Sequence, residues 1–281
     1  MSEIADSPVF VPTTLAEAIQ IVKRNPRIPL WAGGTWWAQG RSTPEQDDDQ
    51  LEGPHGAILT LHAIRELKRV VRSEIHVDVG AAVVVARLRE AGSRFLPPVL
   101  LRALERTGPP PVRNLATLGG AVCIPDQILP VTLVLQLLDT RLDLRRGGRG
   151  HTLALANFRP NPGDILTRLR IPLTEWSNWS LNSFGTIWPR GDNSLTVAAV
   201  AHVEKGSVQE FRLGLLINGE TILRLREAEM DILGRPVPLT ERDQRIILTP
   251  LQQHPLYGSH LDDLGRWRAT GAVRQFLRRL G

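Results

Sequence analysis

The 281 residues, 42% of them hydrophobic, suffice for one large apolar core or two moderate ones, and the length favours about two domains. A net charge of +5 rests almost wholly on arginine, since only Lys23, Lys68 and Lys205 are lysines; the arginines are spread along the chain without a concentrated block or aromatic platform, which argues against nucleic acid as a partner. The longest apolar run, Ile128 to Leu138, is broken by Pro130, Thr132 and Gln136 and falls short of the roughly twenty residues of a spanning helix, so no transmembrane segment is expected; with an acidic start lacking a basic-then-apolar leader, a cytoplasmic protein is the default.

In chain order, Thr14-Leu15-Ala16-Glu17 forms a capping box, and Leu15, Ala18, Ile19 and Val22 recur with helical spacing, predicting a helix from Leu15 to Arg24 that Asn25-Pro26 ends. A short apolar run, Ile28 to Trp31, reads as a strand delivering the glycine loop Ala32-Gly33-Gly34-Thr35. Residues 41–56 read as an exposed loop; its run Asp47-Asp48-Asp49 is a solvated stretch and not a metal site, because consecutive side chains do not converge. Strands are expected at Ala57–Leu61, Arg69–Val71 and Ile75–Val79, with His76 on the polar side, then helices at Val84–Ala91 and Val99–Arg106, stopped by Gly108.

Pro109-Pro110-Pro111 stiffens the approach to Arg113-Asn114-Leu115-Ala116-Thr117-Leu118-Gly119-Gly120, where a hydroxyl beside two glycines suggests a backbone of positive φ whose N–H groups form one anion-binding concavity. A buried helix follows around Leu133–Leu138, then a hairpin from Arg141–Arg145 and His151–Leu155 about Gly147-Gly148, and a strand from Asp164 to Ile171. Pro172-Leu173-Thr174-Glu175 marks a domain boundary. Beyond it, strands at Leu181–Trp188, Leu195–Glu204 and Val208–Ile217 predict an antiparallel sheet, and helices are expected at Thr221–Leu233 and Glu241–Gln253 and near the C-terminus, the last with Val273, Phe276, Leu277 and Leu280 inward.

No nucleophile elbow, zinc-type spacing, lysine-bearing phosphate loop or G-x-G-x-x-G fingerprint is present, so no catalytic residue and no metal ligand is assigned. The single cysteine, Cys123, excludes an internal disulfide and any iron–sulfur cluster held by this chain alone.

The pair Ala-Gly-Gly-Thr at Ala32–Thr35 and Arg-Asn-x-Ala-Thr-x-Gly-Gly at Arg113–Gly120, with the opening helix after Pro12 and the closing segment from Arg268 to Leu280, resembles the flavin-binding medium subunit of molybdenum hydroxylases, the xanthine dehydrogenase and carbon monoxide dehydrogenase family. The resemblance covers nearly the whole chain. It implies an α+β fold, with a two-lobed FAD-binding (PCMH-type) domain over residues 1–172 (lobes 1–55 and 56–172) and a C-terminal domain over 173–281 of a three-stranded antiparallel sheet packed with helices. It further implies FAD held by Ala32, Gly33, Gly34, Thr35 and Trp36, by Thr117, Leu118, Gly119 and Gly120, by Asp126, and by the backbone of Ile165 and Leu166. The implied partners are a small iron–sulfur subunit and a large molybdenum-cofactor subunit in a hetero-oligomer, with NAD or a quinone-type acceptor as the oxidant.

Four positions depart from the family pattern. Trp36-Trp37 stands where an acidic residue is common, Ala121 replaces an asparagine, the segment from Cys123 to Pro130 is shortened, and a polar residue expected near Gly185 and Thr186 is missing, with Trp188 nearby as a possible cover for the flavin. Two readings follow: an FAD-carrying electron-transfer subunit, or a flavin-less scaffold that kept the fold. Retention of flavin discriminates them.

Overall fold

The structure, a computed structural model, describes residues 8–39, 57–125, 127–185 and 194–280. The Asp47-Asp48-Asp49 run, Asp126, Thr186 and Trp188 lie outside the described residues. In chain order the elements are β1 (Val9–Phe10), α1 (Leu15–Arg24), β2 (Leu30–Trp31), β3 (Ile58–Thr60), β4 (Val70–Arg72), β5 (His76–Gly80), α2 (Val85–Gly92), α3 (Pro98–Glu105), α4 (Pro110–Arg113), α5 (Leu118–Val122), α6 (Pro130–Leu137), β6 (Arg141–Arg146), β7 (Arg149–Ala154), β8 (Asp164–Pro172), β9 (Asn178–Phe184), β10 (Leu195–Glu204), β11 (Ser207–Ile217), β12 (Thr221–Arg224), α7 (Arg226–Asp231), α8 (Glu241–Gln253), α9 (Pro255–His260) and α10 (Asp263–Arg278). The chain forms two compact units. One comprises Met1–Ala91, Pro109–Pro125 and Asp139–Pro172; the other takes Leu173–Gly281 together with two earlier segments, Gly92–Gly108 and Asp126–Leu138.

In the first unit, α1 begins as the sequence predicts: the Thr14 hydroxyl accepts from Glu17 N–H. The return bond differs, because the Glu17 carboxylate reaches back to Thr13 N–H (2.8 Å) instead of to Thr14. Its inner face, Ala18 and Val22, packs with Ile28, Leu59, Leu67 and Ile165 into one apolar cluster. Beside it stands a parallel three-stranded sheet in the order β1-β3-β2, so β3 is the central strand that delivers Leu61 N–H to the Trp31 carbonyl at 2.8 Å.

The second sheet of this unit is antiparallel, in the order β4-β5-β8-β6-β7. One face buries Val77, Val79, Leu142, Leu144, Leu169 and Ile171. The other carries directly opposed charges: Asp78 pairs with Arg170, Asp143 with Arg168, and Asp143 with Thr152 in the strand register. Arg170 donates to both Asp78 oxygens (2.8 and 3.0 Å), Arg168 bridges Asp78 (3.1 Å) and Asp143 (2.8 Å), and the Thr152 hydroxyl donates to Asp143 at 2.6 Å. The Arg170 hydrogen bonds, against some desolvation, hold the Asp78 carboxyl below its usual range. At Asp143 burial opposes ionisation, but Thr152 and Arg168 outweigh it, so its pKa is also lowered.

In the second unit β9 to β12 form an antiparallel sheet in the order β12-β11-β10-β9. The expected three strands are present, and a fourth, Thr221–Arg224, replaces the first turn of the helix predicted from Thr221; the helix begins only at Arg226. The reason is that Asn218-Gly219, both at positive φ, turn the chain back antiparallel to β11, where Thr221 pairs with Ile217. α3 and α6 pack against each other and against this sheet, α6 lying so close to Gly214 that a Cβ there would stand 2.8 Å from Leu133 Cδ1. Facing α7 to α10 is the core of Leu195, Val197, Phe211, Leu215, Ile247, Val273, Phe276 and Leu277. β10 is therefore covered on both faces, which explains its nearly unbroken apolar run from Leu195 to Ala201.

An ion pair sits inside this unit. Arg224 and Glu229 have side chains only 10% and 5% exposed; Glu229 accepts from Arg224 (2.9 Å) and from Leu213 N–H (2.9 Å), and Arg224 also donates to the Gln136 carbonyl on α6 (3.2 Å). Removing one partner strands the other charge. Glu229→Ala is expected to cost about 3–5 kcal/mol, read as a lower midpoint in urea unfolding, with Glu229→Gln costing less. An unchanged midpoint for Glu229→Ala would remove this pair from the stabilising set.

The carboxylates of the first unit make a second expectation. Because Asp78 and Asp143 have folded pKa values below the ordinary 3.8, their contribution is complete above about pH 4 and is lost as pH falls through the folded values. Thermal unfolding should thus have a midpoint that declines on acidification below pH 4. Asp78→Asn should lower the midpoint at pH 7 and make that acid decline shallower; an equally steep decline in the variant would show that Asp78 is not among its causes.

Candidate functional site

The two glycine motifs meet inside the first unit. Beyond Trp31 the chain leaves β2 as the half-buried loop Ala32–Thr35. Gly34 has φ of +69°, and a Cβ on it would stand 2.5 Å from Trp31 Cζ2, because the indole folds back over this glycine. Gly33 abuts the other motif: a Cβ there would stand 2.2 Å from the carbonyl oxygen of Leu115, two residues before Thr117. The loop then closes with Ala38 N–H donating to Gly34 O at 3.0 Å. Among the described residues, the N–H groups of Ala32, Gly33 and Gly34 meet no acceptor.

Thr117-Leu118-Gly119-Gly120 is built differently from the left-handed loop that its composition suggests. Neither glycine has positive φ. Thr117 is the N-cap of α5, its hydroxyl accepting from Gly120 N–H at 3.1 Å. Leu118 N–H donates to Val83 O, Gly119 N–H to Ala81 O and Ala121 N–H to Thr117 O, each at 2.9 Å. Every amide from 118 to 121 is thus used within the protein, so the expected concavity of free donors is absent here. Gly119 is required by packing, since a Cβ would stand 2.6 Å from Ala81 Cβ and 2.7 Å from its carbonyl oxygen.

The remaining predicted residues are placed as follows. Ile165 and Leu166 lie at the start of β8 and are 1% and 6% exposed; the Ile165 side chain belongs to the α1 core and Leu166 pairs with Leu144. Trp36 is buried and meets Trp37 edge-on at 4.9 Å, and Trp37 stacks on Trp31 at 6.2 Å and 11°. This indole cluster was not read as a unit in the sequence, although the signal is there: three of the seven tryptophans fall between positions 31 and 37. Cys123, just after α5, is half-buried, and desolvation with a smaller push from Asp164 raises its thiol to about 12, against a thiolate role.

Residues 3–174 match the family model described as the FAD binding domain in molybdopterin dehydrogenase. The chain belongs to this family. It is an FAD-binding oxidoreductase subunit of the molybdenum hydroxylase type. Among curated relatives, the xanthine dehydrogenase FAD-binding subunit of Escherichia coli O157:H7 is 24% identical over 238 residues, covering 80% of this chain and 79% of that one. The glyceraldehyde dehydrogenase medium chain of Sulfolobus acidocaldarius is 23% identical over 195 residues, 63% of this chain and 66% of that one. The fold is shared with a chain of quinoline 2-oxidoreductase from Pseudomonas putida 86 (TM-score 0.77, 18% identity, 99% of this chain and 98% of that one). It is shared equally with a chain of carbon monoxide dehydrogenase from Hydrogenophaga pseudoflava (TM-score 0.77, 18% identity, 97% and 95%).

The residues present fit the phosphate end of FAD at the first motif, where unspent amides, a positive φ and missing Cβ atoms coincide. At the second motif the glycines serve close backbone packing. Gly119→Ala is therefore expected to destabilise the protein by about 1–3 kcal/mol through overpacking, whether or not FAD is added. Gly271→Ala on α10, where a Cβ meets nothing within 4 Å, should leave stability unchanged or higher. Chemical denaturation of both variants checks this, and equal stability of Gly119→Ala and the parent chain would overturn the packing role.

Proposed function

We propose that this chain holds FAD with its diphosphate against the Ala32–Thr35 loop and serves as the electron-transfer subunit of a hetero-oligomeric molybdenum hydroxylase. The observation that carries the reading is the set of unspent N–H groups at Ala32, Gly33 and Gly34, in a half-buried loop seated on Leu115. When bound, FAD supplies the redox chemistry between iron–sulfur clusters on a small partner subunit and NAD or a quinone-type acceptor, the molybdenum cofactor being on a large partner subunit.

The chain's own residues contribute position and dielectric. Ala32 to Gly34 offer amide donors whose direction is fixed by the Trp31 carbonyl bond on one side and the Ala38 bond on the other. Trp31, Trp36 and Trp37 pack beside the loop and offer donors only, so a phosphate meets no carboxylate where the family commonly has one. Thr117 to Gly120 act by holding α5 rigid under Leu115, and Asp126, Ile165 and Leu166 are assigned to the ribose and ring surroundings by the family resemblance.

A second reading, a flavin-less scaffold subunit, is favoured by one specific observation: the amides of the second motif are all used internally. The visible absorption spectrum of the purified chain, before and after FAD addition and desalting, separates the two. Retained oxidised-flavin bands are expected; a colourless protein that ignores FAD would leave the scaffold reading standing.

A further inference from the structure

The first unit also has a concave surface at the tip of the β6–β7 hairpin, a cavity of 490 Å³, unrelated in residues to the glycine motifs. Among the described residues its only lining carboxylate is Asp164, and that group is already engaged on both oxygens by Arg146, at 2.7 Å each. Two further lining arginines, Arg149 and Arg159, make no ion pair among the described residues; Arg159 donates only to the neighbouring Phe158 carbonyl, at 2.7 Å. A third cation, Arg145, lies across Gly150, its Nη1 standing 2.7 Å from where a Cβ would be. The cavity therefore carries positive charge, on the exposed Arg149 and Arg159, that no carboxylate among the described residues neutralises.

The lining also includes two apolar side chains, Phe158, which is buried, and Leu153, which is half-buried. A phosphate-type anion is the ligand class that unpaired guanidiniums recognise through charge-assisted, bidentate bonds. The volume is in the range of small-molecule sites.

We propose that this cavity is a binding site for a phosphate-bearing ligand, with Arg149 and Arg159 as the anion-recognising residues. The shared chemistry is a phosphate or diphosphate group, which a free inorganic anion or a nucleotide would supply. The test is isothermal titration of the full-length chain with inorganic pyrophosphate and, separately, with ADP, each in the presence of saturating FAD so that the Ala32–Gly34 loop is not the site being titrated. Pyrophosphate should bind, weaken as sodium chloride is raised, and bind at least tenfold more weakly to an Arg149→Gln/Arg159→Gln variant whose flavin content and unfolding midpoint match the parent's. Arg141→Gln, on the same hairpin outside the cavity, should change affinity less than twofold. ADP binding more tightly than pyrophosphate would identify a nucleotide as the source, and equal affinity a free anion. Binding unchanged in the double variant, an equal loss in Arg141→Gln, or no binding of either probe would overturn the site. A chain that binds no FAD but still binds pyrophosphate through Arg149 and Arg159 would defeat the flavin reading and leave this one intact.

Discussion

Close approach of backbone to backbone governs the first unit, and it is possible only where side chains are missing. A Cβ at Gly80 would stand 2.2 Å from Leu67 O, one at Gly119 2.7 Å from Ala81 O, and one at Gly33 2.2 Å from Leu115 O. Between them these contacts tie the end of β5 to the turn before β4, α5 to the residue after β5, and the loop after β2 to the residues leading into α5. Among the described residues no strand pairing joins the parallel and antiparallel sheets of this unit, and these contacts help to align them. The apolar cluster of Ala18, Leu59, Leu67, Ala82 and Ile165 fills the space the contacts leave, and its residues come from elements of both sheets.

That constraint explains which parts of the fold could be read in advance. Periodic segments came through with small shifts of boundary: α1 and α8 match their predicted limits, and the inward set Val273, Phe276, Leu277 and Leu280 is buried. Local pattern was sufficient there because the same residues decide both propensity and burial. Thr221–Arg224 is a strand where a helix is expected because the turn at Asn218-Gly219 sets its pairing with β11, while its apolar spacing suits either state. The membership of α3 and α6 in the second unit was illegible for another reason. For α6 it rests on Gly214 accepting Leu133 and Leu137, a contact between residues about eighty positions apart, and α3 packs on α6 and β9.

Charge was legible only in sum. The net +5 says nothing of register, yet register converts scattered arginines into ordered pairs: Arg168 and Arg170 are on one face of β8 and meet Asp143 and Asp78 because strand pairing sets them opposite. The buried Arg224–Glu229 pair arises similarly, from a strand and a helix that the sequence did not separate. Such pairs are visible once topology is known and not before, since each needs two strands or a strand and a helix to be placed first.

The candidate site shows how one composition can encode two mechanical tasks. Both motifs contain a threonine and two adjacent glycines, and the composition of the second suggests free amides. In Ala32–Thr35 the threonine follows the glycines, so no hydroxyl precedes them to act as a cap, one glycine takes positive φ, and the donors stay open. In Thr117–Gly120 the threonine comes first, in the N-cap position, and the chain responds by starting a helix whose early amides are consumed by Thr117, Val83 and Ala81. Order within the motif, and not its composition, decides whether donors point outward or inward. With FAD proposed at the loop without a cap, the second motif takes the part of its foundation, since Leu115, just before that motif, lies against Gly33.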